Sequence, residues 1–172
     1  MKAAILFTGW YGSTKQYADW IAEATGYPVY NLDEVQPDLD NFDLIILGSS
    51  IVIGKLTIRK WVKLHWPELR NKELILFTVS GTAPGHPDLH KYLEASLPVD
   101  MIDQMDYIPL RGRLIIKELK WYTRLLLRLG ARQEKDPEAK KRMLEGFDFV
   151  KRENIEPILE LVEIDEAAPI LR

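Results

Sequence analysis

The sequence contains no cysteine, which excludes disulfide bonds, thiol catalysis and metal or iron–sulfur sites with cysteine ligands. Long apolar runs are also missing, because the longest nearly apolar stretch, residues 44–54, is too short to span a bilayer. The chain enters a predicted strand directly after Lys2, without the charged and apolar regions of a signal peptide. We therefore expect a cytoplasmic protein without a metal site, whose 172 residues form a single domain.

Residues 3–22 have the pattern of a strand, a tight loop and a helix. Five apolar residues are followed by a loop rich in Gly, Ser and Thr, and then by apolar residues at helical spacing. Such a loop can bind phosphate, because the free N–H groups and the dipole at the start of a helix attract an anion. It is not a Walker A motif, since no Gly-Lys-Ser/Thr closes it, and an ordinary turn with Thr14 as the helix N-cap is the alternative. We name residues 8–14 the phosphate loop, whose members are Thr8, Gly9, Trp10, Tyr11, Gly12, Ser13 and Thr14.

Two further apolar runs, residues 43–48 and 73–79, are typical of strands that helices cover on both faces. Each run leads into a loop of small residues and then into a helix. Weaker strands are predicted at residues 29–32 and 104–110, and Pro109 indicates that the last one lies at an edge or ends there. The alternation predicts an α/β fold with a doubly wound parallel sheet, which binds ligands at the carboxyl ends of its strands.

The phosphate loop and its flanking elements resemble the flavodoxin signature. The resemblance rests on Ile5, Leu6, Phe7, Gly12, Thr14, Ala18 and Ile21. It departs at Gly9, where that family usually has Ser or Thr. It implies a flavodoxin-like sheet of five parallel strands in the order 2-1-3-4-5, with the phosphate of FMN on the phosphate loop. The flavin ring is then flanked by a second loop (residues 49–55) and a third loop (residues 79–86), whose implied cofactor-binding residues are Ser49, Ser50, Ile51, Ile53, Gly54, Val79, Ser80, Gly81, Thr82 and Ala83.

The second and third loops lack the aromatic side chains between which ordinary flavodoxins stack the flavin ring. The second loop has three aliphatic residues at positions 51–53, and the third has only His86. The ring is therefore expected to be open to a substrate or partner. Trp10 and Tyr11 either cover the cofactor or pack against neighbouring loops. No residue is identified as a catalytic acid or base, although His86 is the one histidine placed near a flavin.

Residues 111–133 form an insert that a five-stranded flavodoxin fold does not need. Seven of its residues are basic and one, Glu118, is acidic, so it carries +6 although the whole chain carries −3. Residues 114–129 are predicted to form one amphipathic helix ended by Gly130. One interpretation is that its apolar face packs on the core. The opposite face is almost purely cationic, which favours contact of the helix with an anionic membrane surface or a partner protein. The predicted contact residues are Arg113, Lys117, Lys120, Trp121, Arg124 and Arg128.

Residues 136–138, Asp-Pro-Glu, are typical of a helix start. Nucleic acid is disfavoured as a partner, since no binding motif is present and the rest of the chain is acidic. An apolar-periodic piece at residues 155–162 ends the patterned part of the chain. The helix that follows residue 136 is predicted to close the domain by packing four residues on the sheet: Met143, Leu144, Phe147 and Val150.

The second loop and the insert together resemble the menaquinone-dependent protoporphyrinogen IX dehydrogenase family. The resemblance rests on Gly48, Ser49, Ser50, Ile51, Gly54, Leu110, Arg111, Arg113, Trp121, Tyr122 and Arg124. It departs in the third loop, which is short here and lacks that family's basic residues. It implies an FMN-dependent oxidoreductase, peripheral on the inner face of the cell membrane, that passes electrons from a reduced substrate, protoporphyrinogen IX, to a quinone.

Two other functions stay open beside this one. The first is a one-electron carrier of the flavodoxin type, with a docking helix and a protein redox partner. The second is a flavodoxin-like adaptor that has lost FMN, an alternative that Gly9 and the missing stacking aromatics keep open. A homo-oligomer is also compatible with the sequence.

Overall fold

The computed structural model describes residues 1–167, with side chains described as far as residue 163. The C-terminal residues 165–172, in which the sequence shows no pattern, therefore lie largely outside the described residues. The strands are β1 (Ala3–Thr8), β2 (Val29–Asn31), β3 (Leu44–Val52), β4 (Lys55–Leu56), β5 (Glu73–Ser80), β6 (Asp106–Arg111), β7 (Arg113–Leu114) and β8 (Phe147–Asp148). The helices are α1 (Ser13–Thr25), α2 (Arg59–Leu69), α3 (Pro87–Glu94), α4 (Val99–Ile102), α5 (Trp121–Gln133), α6 (Pro137–Glu145) and α7 (Glu156–Ala167), with 3₁₀ turns at Leu39–Asn41, Ile116–Glu118 and Arg152–Ile155.

Five parallel strands form the main sheet in the order β2-β1-β3-β5-β6. This confirms the predicted doubly wound α/β fold with strand order 2-1-3-4-5. The strands β1, β3 and β5 are nearly all apolar because the sheet is buried on both faces. On one face α1 and α7 contribute Tyr17, Ile21 and Ile158 to the core, whereas α2 and α3 cover the other face with Val62 and Leu93.

The strand β6 lies at the edge of the sheet and pairs with β5. Pro109 stands opposite Thr78 in that pairing. Proline has no N–H to donate to a second neighbour, so an edge strand tolerates it. The predicted edge position of this strand is confirmed.

The second loop is largely a β-hairpin, so its prediction as an irregular loop over residues 49–55 is wrong. The strand β3 continues to Val52, and Ile51 pairs with Leu56 of β4 in antiparallel register. Ile53 and Gly54 form the turn with φ of 50° and 68°, as a two-residue hairpin turn requires. The end of β3, Ile51 and Val52, therefore pairs with β4 and extends past the last residue of β3 that pairs with β5, Ser50.

The insert does not form one helix over residues 114–129, and this prediction is wrong. Its beginning is the strand β7, which pairs with β8, and α5 starts only at Trp121 and runs through Gly130. Leu119 is buried in the non-helical connection, so tertiary packing overrides the helical periodicity of the sequence. The predicted cationic contact residues are therefore divided among several elements: Arg113 lies in β7, Lys117 in a 3₁₀ turn, Lys120 at the N-cap of α5, and Arg124 and Arg128 on α5.

The helix α6 begins as predicted, because the Asp136 carboxylate accepts hydrogen bonds from the backbone N–H groups of Glu138 and Ala139. It ends before the sheet, however: Gly146, with φ of 80°, follows it and leads into β8. The helix α6 packs against α5, so the predicted docking of this helix on the sheet is wrong. Val150, which lies beyond α6, does pack against the core as predicted. The helix that closes the domain is α7, through Ile158 and its neighbours.

Candidate functional site

The phosphate loop leads into α1 with a row of free backbone donors. Gly12 is the N-cap residue and has φ of 81°, a conformation that glycine adopts without strain. Thr14 lies inside the helix, so its alternative role as the N-cap is wrong. In the described part of the chain, the backbone N–H groups of residues 10–15 donate to no protein acceptor. They are therefore available to an anion at the positive end of the helix dipole.

The hydroxyl groups of the phosphate loop bind one another beneath the loop. Thr14 Oγ1 lies 2.8 Å from Ser50 Oγ, and Thr8 Oγ1 lies 2.6 Å from Thr57 Oγ1. Ser49 is fully buried and lies 3.2 Å from the same Thr57 oxygen. These pairs join the end of β1 to the end of β3. The hydroxyl of Thr8 thus pairs with that of Thr57.

Gly9 occupies a position where a side chain does not fit. A Cβ atom placed there would lie 2.9 Å from both Cβ and Oγ1 of Thr14 and 3.0 Å from Ser50 Oγ. Such contacts are closer than packed atoms tolerate without movement. The departure from the flavodoxin signature at Gly9 is therefore explained by the hydroxyl pair beneath it.

All three predicted loops line one cavity of about 540 Å³ at the carboxyl edge of the sheet, which we name the sheet-edge cavity. Their lining residues are Tyr11, Ser13, Ser50, Ile51, Val79, Ser80, Gly81, Thr82 and Ala83, with His86 beside them. The residues of the hairpin tip, Ile53 and Gly54, are not among those that line it, and Ile53 is 94% exposed. Thr8, Thr14 and Ser49 stay beneath the loop. Proteins of this fold class bind ligands at this edge.

The opposite wall of the sheet-edge cavity comes from the insert and from residues that the sequence reasoning did not assign to a site. They are Leu114, Leu127, Met143 and Phe147. The Phe147 ring lies on Gly81 so closely that a Cβ atom on the glycine would be 2.6 Å from its Cζ atom. Phe147 and Phe149 alternate with the polar Asp148, which is typical of a strand. This alternation was the one signal in the sequence that could have indicated β8 and, with it, this wall of the cavity.

A second cavity, of about 620 Å³, lies on the other side of Tyr11 and Arg113, which line both cavities. Its other lining residues are Gly9, Trp10, Ile115, Glu118, Leu119, Lys120, Tyr122 and Thr123. Trp10 therefore faces the insert and is 65% exposed. Burial raises the pKa of Tyr11, and the neighbouring Tyr122 phenol raises it further. We name this space the insert cavity.

The insert is fastened to α1 through Tyr17. The buried Tyr17 hydroxyl donates to the Arg111 carbonyl at 2.6 Å and accepts from Asn154 Nδ2 at 2.7 Å. The Arg113 N–H donates to Ser13 Oγ at 3.2 Å. The Arg111 guanidinium in turn lies 3.4 Å from the centre of the Phe149 ring. These contacts hold the start of the insert against the first turns of α1.

His86 acts locally as the N-cap of α3. Its Nδ1 atom accepts a hydrogen bond from the Asp88 N–H at 3.2 Å, and the residue lines the sheet-edge cavity. His65 lies within α2 and His90 within α3, as the sequence pattern indicates. Within the described residues, no three His, Asp or Glu side chains lie close enough together to hold a metal ion.

The outer side of α5 is apolar and exposed. Its exposed apolar residues are Trp121, Tyr122, Leu125, Leu126 and Leu129. The interpretation of this helix as one that packs its apolar face on the core therefore does not hold for these five residues. None of the helices in the described range combines the length and the apolar character that crossing a lipid bilayer requires.

Comparison with known proteins gives one family match and several distant similarities. Residues 4–141 match the model of the flavodoxin domain. An uncharacterised protein of Methanocaldococcus jannaschii is 33% identical over 99 residues, which are 56% of this chain and 66% of that relative's length. A WrbA-like flavodoxin from Agrobacterium tumefaciens is 16% identical, with a TM-score of 0.48 over 64% of this chain and 82% of its own. A flavoprotein in complex with FMN from Lactobacillus acidophilus is 19% identical, with a TM-score of 0.45 over 64% of this chain and 91% of its own.

Proposed function

Because this chain belongs to the flavodoxin domain family, we propose that it is an FMN-dependent redox protein that holds its cofactor in the sheet-edge cavity. Family membership supports a flavin cofactor and a redox role. The observation that carries the proposal is the convergence of the three loops on one cavity at the carboxyl edge of the sheet. Its volume of about 540 Å³ lies within the range of roughly 300–1,000 Å³ that small-molecule sites occupy.

The residues present fit a cofactor with a phosphate at one end and a flat, largely apolar ring at the other. The free N–H groups of residues 10–15 would hold the phosphate. Ile51 and Phe147 offer apolar surface to the ring. The Thr82 carbonyl and the Ala83 N–H would offer polar groups to its edge, since the Thr82 N–H already donates to Ser80 Oγ and the Ala83 carbonyl already accepts from the His86 N–H. The opposite wall of the cavity, to which α5 and α6 contribute Leu127 and Met143, would restrict access of water to the ring. When bound, FMN supplies the ability to accept and release electrons singly or in pairs.

We further propose that the protein is an oxidoreductase that moves electrons from a reduced substrate to a quinone. The family resemblance implies protoporphyrinogen IX as that substrate. The resemblance of the second loop and insert to the quinone-linked family supports this reaction. The insert cavity supports it as well, because a second cavity beside the proposed cofactor site offers space for a second molecule. The electron carrier, with a protein redox partner, is the second candidate.

The first test is an absorbance spectrum of the purified protein before and after FMN is added. We expect flavin bands near roughly 375 and 450 nm, as for any oxidised flavin, and saturation at one FMN per chain. A colourless protein that does not bind FMN would overturn the cofactor proposal and would favour the adaptor.

A reductive titration then separates the two redox functions. The oxidoreductase is expected to take up electrons in pairs and to turn over with a water-soluble quinone. A carrier is expected to take them up in two resolved one-electron stages and to show no quinone turnover. The quinone proposal fails if the reduced protein, kept without oxygen, is not reoxidised by any quinone tested.

We also propose that the outer side of α5 contacts an anionic membrane surface. Leu126 and Trp121 are 63% and 75% exposed, and Arg128 and Arg132 are exposed on the same helix. Apolar residues beside cations are typical of helices that lie on anionic lipid. Arg124 has another role, because its guanidinium donates to the carbonyls of Leu119 and Lys117 and supports the start of α5.

Vesicle sedimentation tests this contact. The double variant Arg128→Gln/Arg132→Gln is expected to bind vesicles of anionic lipid about tenfold or more weakly, since each basic residue contributes about 1 kcal/mol. The matched control Lys140→Gln/Lys141→Gln changes two cations on α6 and is expected to bind as the wild type does. Wild-type protein that sediments equally with neutral and anionic vesicles, or with neither, would contradict the proposal. A dimer in lipid-free solution that the change Leu126→Asp abolishes would assign the surface to a second copy of the chain instead.

A further inference from the structure

Arg113 lies where the insert meets the start of α1. Its backbone N–H donates to the side chain of Ser13, the first residue of α1. Arg111 precedes Arg113 by two residues, and its carbonyl accepts a hydrogen bond from the hydroxyl of Tyr17. Tyr17 lies on α1, one turn after Ser13. Arg113 is thereby held beside the phosphate loop by contacts that do not involve its guanidinium group. It lines both the sheet-edge cavity and the insert cavity.

The guanidinium group of Arg113 forms only a loose ion pair with a carboxylate. Its nearest acid is Asp148, at 3.7 Å between Nη1 and Oδ2, which is beyond hydrogen-bond distance. The Arg113 side chain is 29% exposed and therefore only partly solvated. Burial raises the pKa of Tyr17, while hydrogen bonds to its hydroxyl lower it. The negative charge of Asp148 raises this pKa further, and the positive charge of Arg113 lowers it. Both charges therefore act on the first turns of α1.

Among the described residues, Arg113 is the cation that lines both cavities and is hydrogen-bonded to α1, whereas Lys120 lines the insert cavity alone and Arg142 the sheet-edge cavity alone. Lys15 lies in the first turn of α1, but its ammonium group is 2.7 Å from the Asp19 carboxylate and its side chain is 62% exposed. Its charge is thus paired and directed to solvent. The free N–H groups of residues 10–15 carry only partial charges. A doubly charged phosphate bound there would be balanced incompletely by the loop alone.

We propose that Arg113 is a cofactor-phosphate residue, which supplies from the insert the full positive charge that the phosphate loop lacks. This inference rests on the proposed binding of FMN. Guanidinium groups suit the role because their donors match the geometry of phosphate oxygens. The predicted role of Arg113 in membrane contact gives way to this one, because the residue lies beside α1 and not on α5. The insert then selects a phosphorylated flavin over the unphosphorylated one.

The test compares FMN with riboflavin, which lacks the phosphate, by titrating the flavin-free full-length protein and following flavin fluorescence. Arg113→Gln is expected to weaken FMN binding by about tenfold to a hundredfold, the usual effect of removing a hydrogen bond to a charged group. Riboflavin binding is expected to stay unchanged. Arg128→Gln is the matched control, since Arg128 lies on the same insert and lines neither cavity. Arg113→Lys is expected to retain part of the preference for FMN.

A second variant tests the same charge from the opposite side. Asp148→Asn removes the nearest negative charge and keeps the Oδ1 acceptor that receives the Val150 N–H. It is expected to strengthen FMN binding by a factor of about two to five and to leave riboflavin binding unchanged.

The possible failures are distinguishable. Wild-type protein that binds neither flavin overturns the proposed function, and the inference with it. If the wild type binds FMN and Arg113→Gln binds it equally well, the inference alone is overturned. It is also overturned if Arg113→Gln weakens FMN and riboflavin by the same factor, because the residue would then support the cavity and not the phosphate. If Arg113→Gln does not fold, Arg113→Lys and Asp148→Asn are used in its place. A change in FMN affinity without a change in riboflavin affinity then supports the inference, and equal changes or no change for the two flavins overturn it.

Discussion

Tyr17→Ala is expected to lower the free energy of unfolding by about 3–5 kcal/mol, the usual cost of truncating a large buried aromatic residue. Tyr17 has no exposed surface, and its ring lies 5.8 Å from that of Trp20. Tyr17→Phe keeps the ring and removes the hydroxyl, which takes the donor from the Arg111 carbonyl and leaves the Asn154 amide with the Phe149 carbonyl as its remaining acceptor. We expect this change to cost about 1–3 kcal/mol. Urea unfolding of the purified variants measures both values.

The control for this pair is Tyr122→Phe, because Tyr122 is 45% exposed and loses little when its hydroxyl is removed. A Tyr17→Phe protein as stable as the wild type would show that the hydroxyl does not fasten the insert to α1. A loss confined to Tyr17→Ala would assign the stability to packing alone.

Tyr17 is also expected to make the free energy of unfolding depend on pH in the alkaline range. Burial raises the pKa of Tyr17, whereas in the unfolded chain the phenol ionises near a pKa of about 10. Its contribution to stability is therefore complete below pH 10 and is lost as the pH rises above that value, because the unfolded state releases the proton first. Tyr107, whose pKa burial also raises, acts in the same direction. Tyr17→Phe is thus expected to lose less stability than the wild type between about pH 9 and pH 11.

Gly9→Ala is expected to weaken FMN binding by about tenfold to a hundredfold, the affinity equivalent of an overpacking cost of 1–3 kcal/mol. The added methyl group would lie 2.9 Å from Thr14 Oγ1 and 3.0 Å from Ser50 Oγ. Because Thr14 lies in the first turn of α1, the relief of this contact moves the loop whose N–H groups would bind the phosphate. Equilibrium titration with FMN measures the affinity.

The matched control is Gly130→Ala, in which the same methyl group has nothing within 4 Å. Since Gly130 lies inside α5, alanine there is expected to raise stability by about 0.5–1 kcal/mol and to leave FMN binding unchanged. If Gly9→Ala binds FMN as tightly as Gly130→Ala does, the phosphate does not lie on this loop.

The sheet could be predicted from the sequence because burial on both faces imposes a continuous apolar run on each central strand. The runs at β1, β3 and β5 satisfy that condition, and turn residues separate them. The extension of β3 through Ser49 and Ser50 could not be predicted. Those hydroxyls are buried because they meet Thr57 and Thr14 from other elements, and such pairings leave no local pattern in the sequence.

In the insert, by contrast, the sequence predicted a helix over residues 114–120, where the structure has no α-helix. The periodicity from residue 114 onward is compatible with a helix, but the pairing of β7 with β8 and the burial of Leu119 prevail over it. Neither the partner strand nor the burial is encoded within the segment itself. For the same reason, the wall formed by Leu114 and Phe147 was missed, because those residues are 33 positions apart in the sequence and meet only in the fold.

The bond between Tyr17 and Asn154 joins residues 137 positions apart. During synthesis, the phosphate loop therefore emerges well before the segment that fastens the insert over it. Contacts of such sequence separation form slowly in folding. A nascent chain that has not yet reached Phe147 lacks one wall of the sheet-edge cavity, so it would expose the open edge of the sheet and could not yet enclose a ligand there.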